Sequence, residues 1–233
     1  MTYVLHYAPD NASLIIRLAL EHRGIPYCAQ LVDRATQGQR APAYLALNPN
    51  GLIPVIETPQ GPIFETGAIL LWLGDTHGGL GPAPADMARG DYLKWLFYTA
   101  NTLHPALRMM FYPEKYIGTD EAHQQALRTG LQNQIMSAFD RLEAVAAQRP
   151  TWLGADMPTG LDFYIAACLR WCALYPVDAP RNWLATRRLP ALMQMAAHVE
   201  GLPCTVALQS AEGLGPTPFT SPSYANPPHG SAT

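Results

Sequence analysis

Residues 48–70 read NPNGLIPVIETPQGPIFETGAIL, and the fold turns on how this stretch is parsed. Asn48-Pro49-Asn50-Gly51 is a turn signal. Residues 53–57 then form a short strand with Pro54 at its beginning. Thr58-Pro59-Gln60-Gly61 is a second turn and 62–64 a second strand, which together make a hairpin. Glu65-Thr66 opens a helix whose Ala68, Ile69, Trp72 and Leu73 share one face. Proline cannot donate to a strand ladder and is confined to strand starts, edges and bulges. At a strand start after a tight turn it fits a cis X-Pro bond, which predicts a cis Ile53–Pro54 peptide. The Ile53 N–H and C=O would then face away from the ladder, where an extended peptide can pair with them. The first N–H groups of the following helix favour a carboxylate. Thr66 adds a hydroxyl, and Glu65 can hold an ammonium. A carboxylate and an ammonium on one carbon make an α-amino acid, so the stretch describes a site for a small peptide with a free amino-acid head.

Working outward, residues 3–7 are a strand ended by Pro9-Asp10-Asn11. Residues 13–23 have helical spacing and stop at Gly24-Ile25-Pro26. Residues 27–32 are a second strand and 41–47 a short helix. The order βαβαββα, with a crossover helix between the first two strands, predicts a parallel pair. Beyond the Gly- and Pro-rich segment after His77 the apolar spacing is helical only, over 87–111, 121–148, 161–175, 190–200 and 203–211. The expected organisation is an α/β domain over 1–78, a linker over 79–86, an all-α domain over 87–212, and a Pro- and Gly-rich tail over 213–233, disordered or draped on the surface. Thr159-Gly160-Leu161-Asp162 reads as a capping box, with Asp162 structural.

Composition narrows the function classes. The 233-residue chain is 48% hydrophobic with a formal net charge of −3, ordinary for a globular protein. No basic run suited to nucleic acid appears. No apolar run approaches the roughly 20 residues of a membrane span, and the N-terminus lacks the pattern of a signal peptide. The four cysteines, Cys28, Cys168, Cys172 and Cys204, form no C-x-x-C and no metal-ligand spacing. They read as reduced thiols of a cytoplasmic protein, and no metal is expected.

The stretch from Asn48 to Thr66 resembles the glutathione-binding signature of the cytosolic glutathione transferases: an N-P-x-G turn, a V-P strand, a hairpin, and an acidic residue followed by Ser or Thr at a helix start. Ile53 stands where the family usually has Val. The resemblance extends over about residues 3 to 212 and implies a thioredoxin-like N-terminal domain, an all-helical C-terminal domain, and a homodimer. It implies that Ile53 pairs with the cysteinyl backbone of glutathione, that Pro54 is the cis proline, and that Glu65 and Thr66 hold the γ-glutamyl head. For the glycine carboxylate, Arg34, Gln37, Gln39 and Arg40 are available, with Gln39 and Arg40 nearest the short helix.

A free thiol has a pKa near 8.5, and lowering it by about two units needs roughly 2.7 kcal/mol of preference for the anion. A donor between the first strand and the first helix, aided by that helix's positive end, could supply it. Asn11, Ser13 and Tyr7 are the three candidates. The stretch from Leu5 to Ser13 most resembles bacterial members with a cysteine just before a serine; this chain has Ala12 at that place, so a mixed disulfide with that residue is lost. The second substrate, a small hydrophobic electrophile, is expected against the first long C-terminal helix, near Tyr98, Asn101, His104, Arg108 and Tyr112. Pro105 disfavours helical backbone at His104 and predicts a kink there. The resulting expectation is a transferase that conjugates or reduces electrophiles with glutathione as co-substrate. Other glutathione chemistry (isomerisation, ether cleavage, dehalogenation, disulfide or peroxide reduction) and a non-catalytic binding role are the alternatives.

Overall fold

A four-stranded sheet is laid down first, in the order β2-β1-β3-β4, by β1 (Tyr3–Tyr7), β2 (Tyr27–Leu31), β3 (Val55–Thr58) and β4 (Gly61–Phe64). The computed structural model describes residues 2–177, 182–185 and 189–232. Met1 and Thr233, the outermost residues of the expected organisation, lie outside the described residues, as do 178–181 and 186–188 within the expected helical region. β1 and β2 are parallel, with Leu5 opposite Ala29. They are joined by α1 (Ser13–Arg23), which ends at Gly24 in left-handed backbone with its N–H returned to the helix. β3 runs antiparallel to β1, and its hairpin with β4 turns between Thr58 and Gly61. A short α2 (Pro42–Leu47) precedes β3 and α3 (Thr66–His77) follows β4. The βαβαββα order and parallel pair anticipated from the sequence are therefore present.

Helices alone follow. They are α4 (Arg89–Tyr98), α5 (His104–Phe111), the single turn α6 (Glu114–Ile117), α7 (Glu121–Ala146), α8 (Gly160–Leu174), the single turn α9 (Asn182–Ala185), α10 (Pro190–Glu200) and α11 (Pro203–Glu212). α8 is the axis of this half: every residue from Gly160 to Cys172 is buried. The Thr159–Asp162 box starts it. Asp162 accepts from the backbone N–H of Thr159 and of Gly154, both at 2.7 Å, and Thr159 Oγ1 accepts from Leu161 N–H. Burial pushes the Asp162 carboxyl upward while these bonds oppose the shift.

One long helix was expected over 87–111. The structure has a wider, π-helical turn over Thr99–Leu103 between α4 and α5. His104, just before Pro105, keeps helical backbone at φ −63° and ψ −43°. The proline's missing N–H and its ring are absorbed by the wide turn rather than by an extended residue, since a π turn releases the carbonyl that a proline would crowd.

The tail contains no helix or strand over 214–232, yet Leu214 and Phe219 are buried. Its carbonyls serve a cation. Arg170 makes five hydrogen bonds, two to the Asp10 carboxylate and one each to the carbonyls of Leu214, Pro218 and Ser223. Polar, proline-rich composition suggests a disordered or surface-draped segment; a guanidinium buried in the core supplies the anchor that composition does not reveal. Replacing Arg170 with Met leaves the Asp10 carboxylate buried and unmatched, which should cost about 3–5 kcal/mol. Urea unfolding should show this loss, and the Asp10→Asn, Arg170→Met double variant should recover part of it. A double variant as unstable as the single one would show that the cost lies elsewhere.

Candidate active site

A cavity of about 510 Å³ opens between the sheet and the α4–α5 wall. Its floor is the segment anticipated from the sequence. The buried Asn48 side chain accepts from Asn50 N–H and donates to the Leu52 carbonyl, which also accepts from the Tyr44 hydroxyl at 2.7 Å. Gly51 is required here: its φ is +61°, and a Cβ would lie 2.8 Å from the Gln39 carbonyl. The Ile53–Pro54 peptide is cis, as expected. Pairing of β3 with β1 begins at Val55, so Ile53 and Pro54 lie outside the ladder and on the cavity wall.

Glu65 holds the next corner. Its backbone is at φ +73° and ψ +116°, a conformation that a non-glycine residue adopts at a cost of about 1–3 kcal/mol and that clusters at binding sites. Its side chain is exposed on the cavity rim, while Thr66 is buried and lines the wall with Gly67 and Ala68. The first turn of α3, with its unpaired N–H groups, thus borders the cavity beside a carboxylate.

The three candidate thiol donors separate. Ser13 is fully buried, and its hydroxyl donates to the Ala8 carbonyl at 3.0 Å and accepts from Ala8 N–H at 3.2 Å. It closes the loop before α1 and does not line the cavity. Tyr7 is buried with the Arg17 guanidinium 4.6 Å above its ring, and it too is off the wall. Asn11 lines the cavity. Its Oδ1 accepts from Ala12 N–H at 2.8 Å, and Nδ2 is the side chain's donor group. No acidic residue stands in the first turn of α1, and Ala12 makes no side-chain cap.

Of the residues expected on the far wall, Asn101, His104, Arg108 and Tyr112 line the cavity; Tyr98 does not. Tyr98 packs edge-on against Trp95 and takes a hydrogen bond from Arg141. Gln39, Arg40 and Arg34 also line it, and Gln39 Oε1 is buried with no partner among the described residues. His104 Nδ1 lies 2.8 Å from the Tyr164 hydroxyl, and its ring packs on Trp171 with centroids 5.3 Å apart. Burial, with a smaller push from Arg108, lowers the His104 pKa to about 4. Burial raises Tyr164 well above the usual phenol range. The bond therefore joins a neutral imidazole to a neutral phenol, and the Thr66 hydroxyl also interacts with Tyr164.

Sequence reasoning missed Tyr164, Trp171 and Lys115 as wall residues. The signal for the first two was present. Tyr164 and Trp171 lie seven residues apart, at helical spacing on α8, with Tyr175 just past its end, polar-tipped aromatics on a mostly apolar helix. Cys168 and Cys172 are buried, and burial raises both thiols. Among the described residues no group of three or more His, Cys, Asp or Glu could hold a metal, and no helix is long and apolar enough to cross a membrane.

Two family models match the chain, the glutathione S-transferase N-terminal domain over residues 12–76 and the C-terminal domain over 125–194. A glutathione S-transferase of Xanthomonas campestris is 29% identical over 75% of this chain and 84% of its own. A maleylacetoacetate isomerase of Rhizobium meliloti is 30% identical over 60% of this chain and 68% of its own. A sphingomonad glutathione S-transferase solved in complex with glutathione is 25% identical, covers 91% of this chain with 100% of its own, and superposes with a TM-score of 0.73. With both domain models in chain order on a thioredoxin-like sheet and a helical half, the chain belongs to the glutathione S-transferase family.

Proposed function

We propose that this chain binds glutathione along the Ile53–Thr66 wall and uses the thiolate of glutathione itself to conjugate or reduce an electrophile. One observation carries the reading. A single cavity joins an off-ladder backbone at Ile53, a carboxylate beside a helix N-terminus at Glu65 and Thr66, and an amide donor at the start of α1. In this reading the γ-glutamyl carboxylate meets Thr66 and the α3 N-terminus, its ammonium meets Glu65, and the glycine carboxylate meets Gln39 or Arg40. Asn11 and the α1 N-terminus stabilise the sulfur anion. In conjugation the sulfur forms a bond to carbon, and the displaced pair leaves with a halide or is captured as a proton is added. The same addition, run reversibly, would serve isomerisation; the similarity to an isomerase supports this second reading. Ala12 lines the cavity where a protein cysteine would be needed for a mixed disulfide. Cys28, the exposed thiol among the described cysteines, does not line it, so disulfide or peroxide reduction would also begin from the glutathione thiolate. We place the protein in the cytoplasm as a homodimer; the exposed Met87 and the partly exposed Trp72 on α3 supply apolar surface for a second copy. Light scattering at micromolar protein should give twice the chain mass.

Turnover of a model aryl halide across pH, with glutathione affinity measured separately, tests the assignment. Asn11→Ala should raise the apparent pKa of the bound thiol and cut turnover at neutral pH roughly ten- to a hundredfold, the worth of one hydrogen bond to an anion. Affinity should change little. Glu65→Ala should show the reverse, with affinity lost first. Ser13→Ala should lower the melting temperature and leave the thiol pKa in place. Wild-type turnover and pH dependence in Asn11→Ala would move the donor to the backbone.

His104 sets a separate pH dependence. Its folded pKa of about 4 lies below the ordinary 6.5, so between these values the unfolded chain binds more protons than the folded one. Its contribution to stability is full above pH 6.5 and is lost as pH falls toward 4. The melting midpoint of the wild type should therefore fall more steeply between pH 7 and 5 than that of His104→Asn.

A further inference from the structure

The cavity lining carries more positive charge than one glutathione can use. Arg34, Arg40, Arg108 and Lys115 all line the cavity. None of them makes an ion pair among the described residues. Three of them converge on one aromatic ring. Arg34 Nη2 donates to the Tyr112 hydroxyl at 2.9 Å, Lys115 Nζ lies 4.2 Å from the ring centroid, and the Arg108 guanidinium lies 5.8 Å from it. Arg40 sits apart on the floor, with Nη1 against the Gly51 turn. The acidic side chains of the lining are Asp10 and Glu65. Asp10 is fully consumed by Arg170, Trp171 and Tyr175.

Charge counting then separates the occupants. This step rests on the glutathione-binding reading above. Glutathione brings two carboxylates and one ammonium. Its head carboxylate goes to the α3 N-terminus and its ammonium to Glu65, so one carboxylate remains for four cations. With Gln39 or Arg40 taking it, Arg34, Arg108 and Lys115 are left around Tyr112. Like charges held this close cost free energy unless an anion is brought among them. Lys115 registers that cost: its ammonium is pushed down by partial burial and then by Arg108, and although the neighbouring Glu114 opposes the shift, Arg34 and Arg40 add to it.

We infer that the acceptor substrate is an anion, an electrophile carrying a carboxylate that Arg108, Lys115 and Arg34 hold around Tyr112. The Tyr112 and Phe111 rings cover its apolar part. The expected small hydrophobic electrophile is thereby narrowed to an acidic one. The carboxylate has two possible sources: a small unsaturated acid, or the tripeptide half of a glutathione mixed disulfide. In the first, the thiolate sulfur bonds to the β-carbon of an enone and the resulting enolate takes a proton from water. In the second, the thiolate attacks the glutathionyl sulfur, the S–S bond breaks, glutathione disulfide forms, and the other thiolate leaves and is protonated.

The test uses matched probes, each rate divided by the uncatalysed reaction with glutathione. The enone arm pairs 4-phenylbut-3-en-2-one with its para-carboxylate. The disulfide arm pairs bis(2-hydroxyethyl) disulfide with the mixed disulfide of glutathione and 2-sulfanylethanol. The wild type should favour the anionic member of at least one pair tenfold or more in kcat/KM. Added salt should shrink that preference. Arg108→Gln should lower the preference several-fold, and Arg108→Gln with Lys115→Gln should bring it near unity. A preference in the enone arm supports the inference and assigns the carboxylate to a small acid. A preference confined to the disulfide arm supports it and assigns the carboxylate to a second tripeptide. Equal turnover of both members in both arms, or a preference untouched in the double variant, overturns it while leaving the transferase reading intact. Turnover of none of the four probes by protein that is retained on immobilised glutathione overturns the transferase reading and this inference together.

Discussion

The Asp10–Arg170 pair is the constraint around which the two halves are assembled. Both side chains are completely buried, and they meet through two hydrogen bonds of 2.8 and 2.9 Å. Trp171 Nε1 and the Tyr175 hydroxyl donate to the same carboxylate, and the other three guanidinium donors go to tail carbonyls. A buried pair of this kind contributes little net stability against an apolar replacement of equal shape, because desolvating two ions costs several kcal/mol each. What it supplies is position. Each donor and acceptor has one set of partners, so the β1–α1 loop, α8 and the tail can meet in one arrangement only. Glu212 reinforces it from α11, accepting from Asp10 N–H at 2.9 Å and from Arg17 at 3.0 Å.

That arrangement reaches the cavity by two short routes. Asn11 is the next residue after Asp10, so fixing the Asp10 carboxylate fixes where the amide sits. Trp171 follows Arg170 on α8, where it packs under His104, while Tyr164 two turns earlier meets His104 and Thr66. The helical half therefore reaches through α8 to the loop where sulfur chemistry is proposed and to the helix start where the amino-acid head is proposed. The tail joins through packed rings, Tyr224 tilted against Tyr175 and Tyr175 edge-on to Phe111, the last of which borders the cavity.

What could be read from the sequence follows the range of the interactions. Residues 48–70 were legible because each constraint is local: Asn48 bonds within four residues, Gly51 needs its own positive φ, and Glu65 opens its own helix. The Thr159–Asp162 box was legible for the same reason. Asp10 and Arg170 were not, since they are 160 residues apart and an isolated Asp near a turn looks like any turn residue. Ser13 shows a subtler limit. A serine at a helix start fits a cap, a loop closure or a catalytic donor equally well, and only the two bonds to Ala8 distinguish them. The π turn was hidden because Pro105 signals a disturbed helix without saying how the chain absorbs it. The cationic wall was partly visible, as Arg34, Arg40 and Arg108 were noted singly. The convergence of Arg34, Arg108 and Lys115 on Tyr112 depends on how the end of α5 and the turn after it approach the loop after β2.

The same pair also bears on the electrostatics of the proposed thiolate. An unneutralised carboxylate at Asp10, beside Asn11, would oppose a sulfur anion and raise its pKa. Arg170 cancels that charge within hydrogen-bond distance, and the indole and phenol donors satisfy the remaining lone pairs. The loop therefore presents no net negative field to the cavity. What remains is the N-terminus of α1, without an acidic residue in its first turn or a side-chain cap, and the cations of the opposite wall. Both favour an anion. His104, held neutral by burial, adds no charge of its own and stays close to an aromatic floor. A cavity built this way disfavours a cationic occupant near the sulfur, because Glu65, the acidic side chain of the lining other than Asp10, stands at the far corner just before α3. The buried ion pair thus does for the site what it does for the fold: it removes an alternative, here a carboxylate that would otherwise compete with the sulfur.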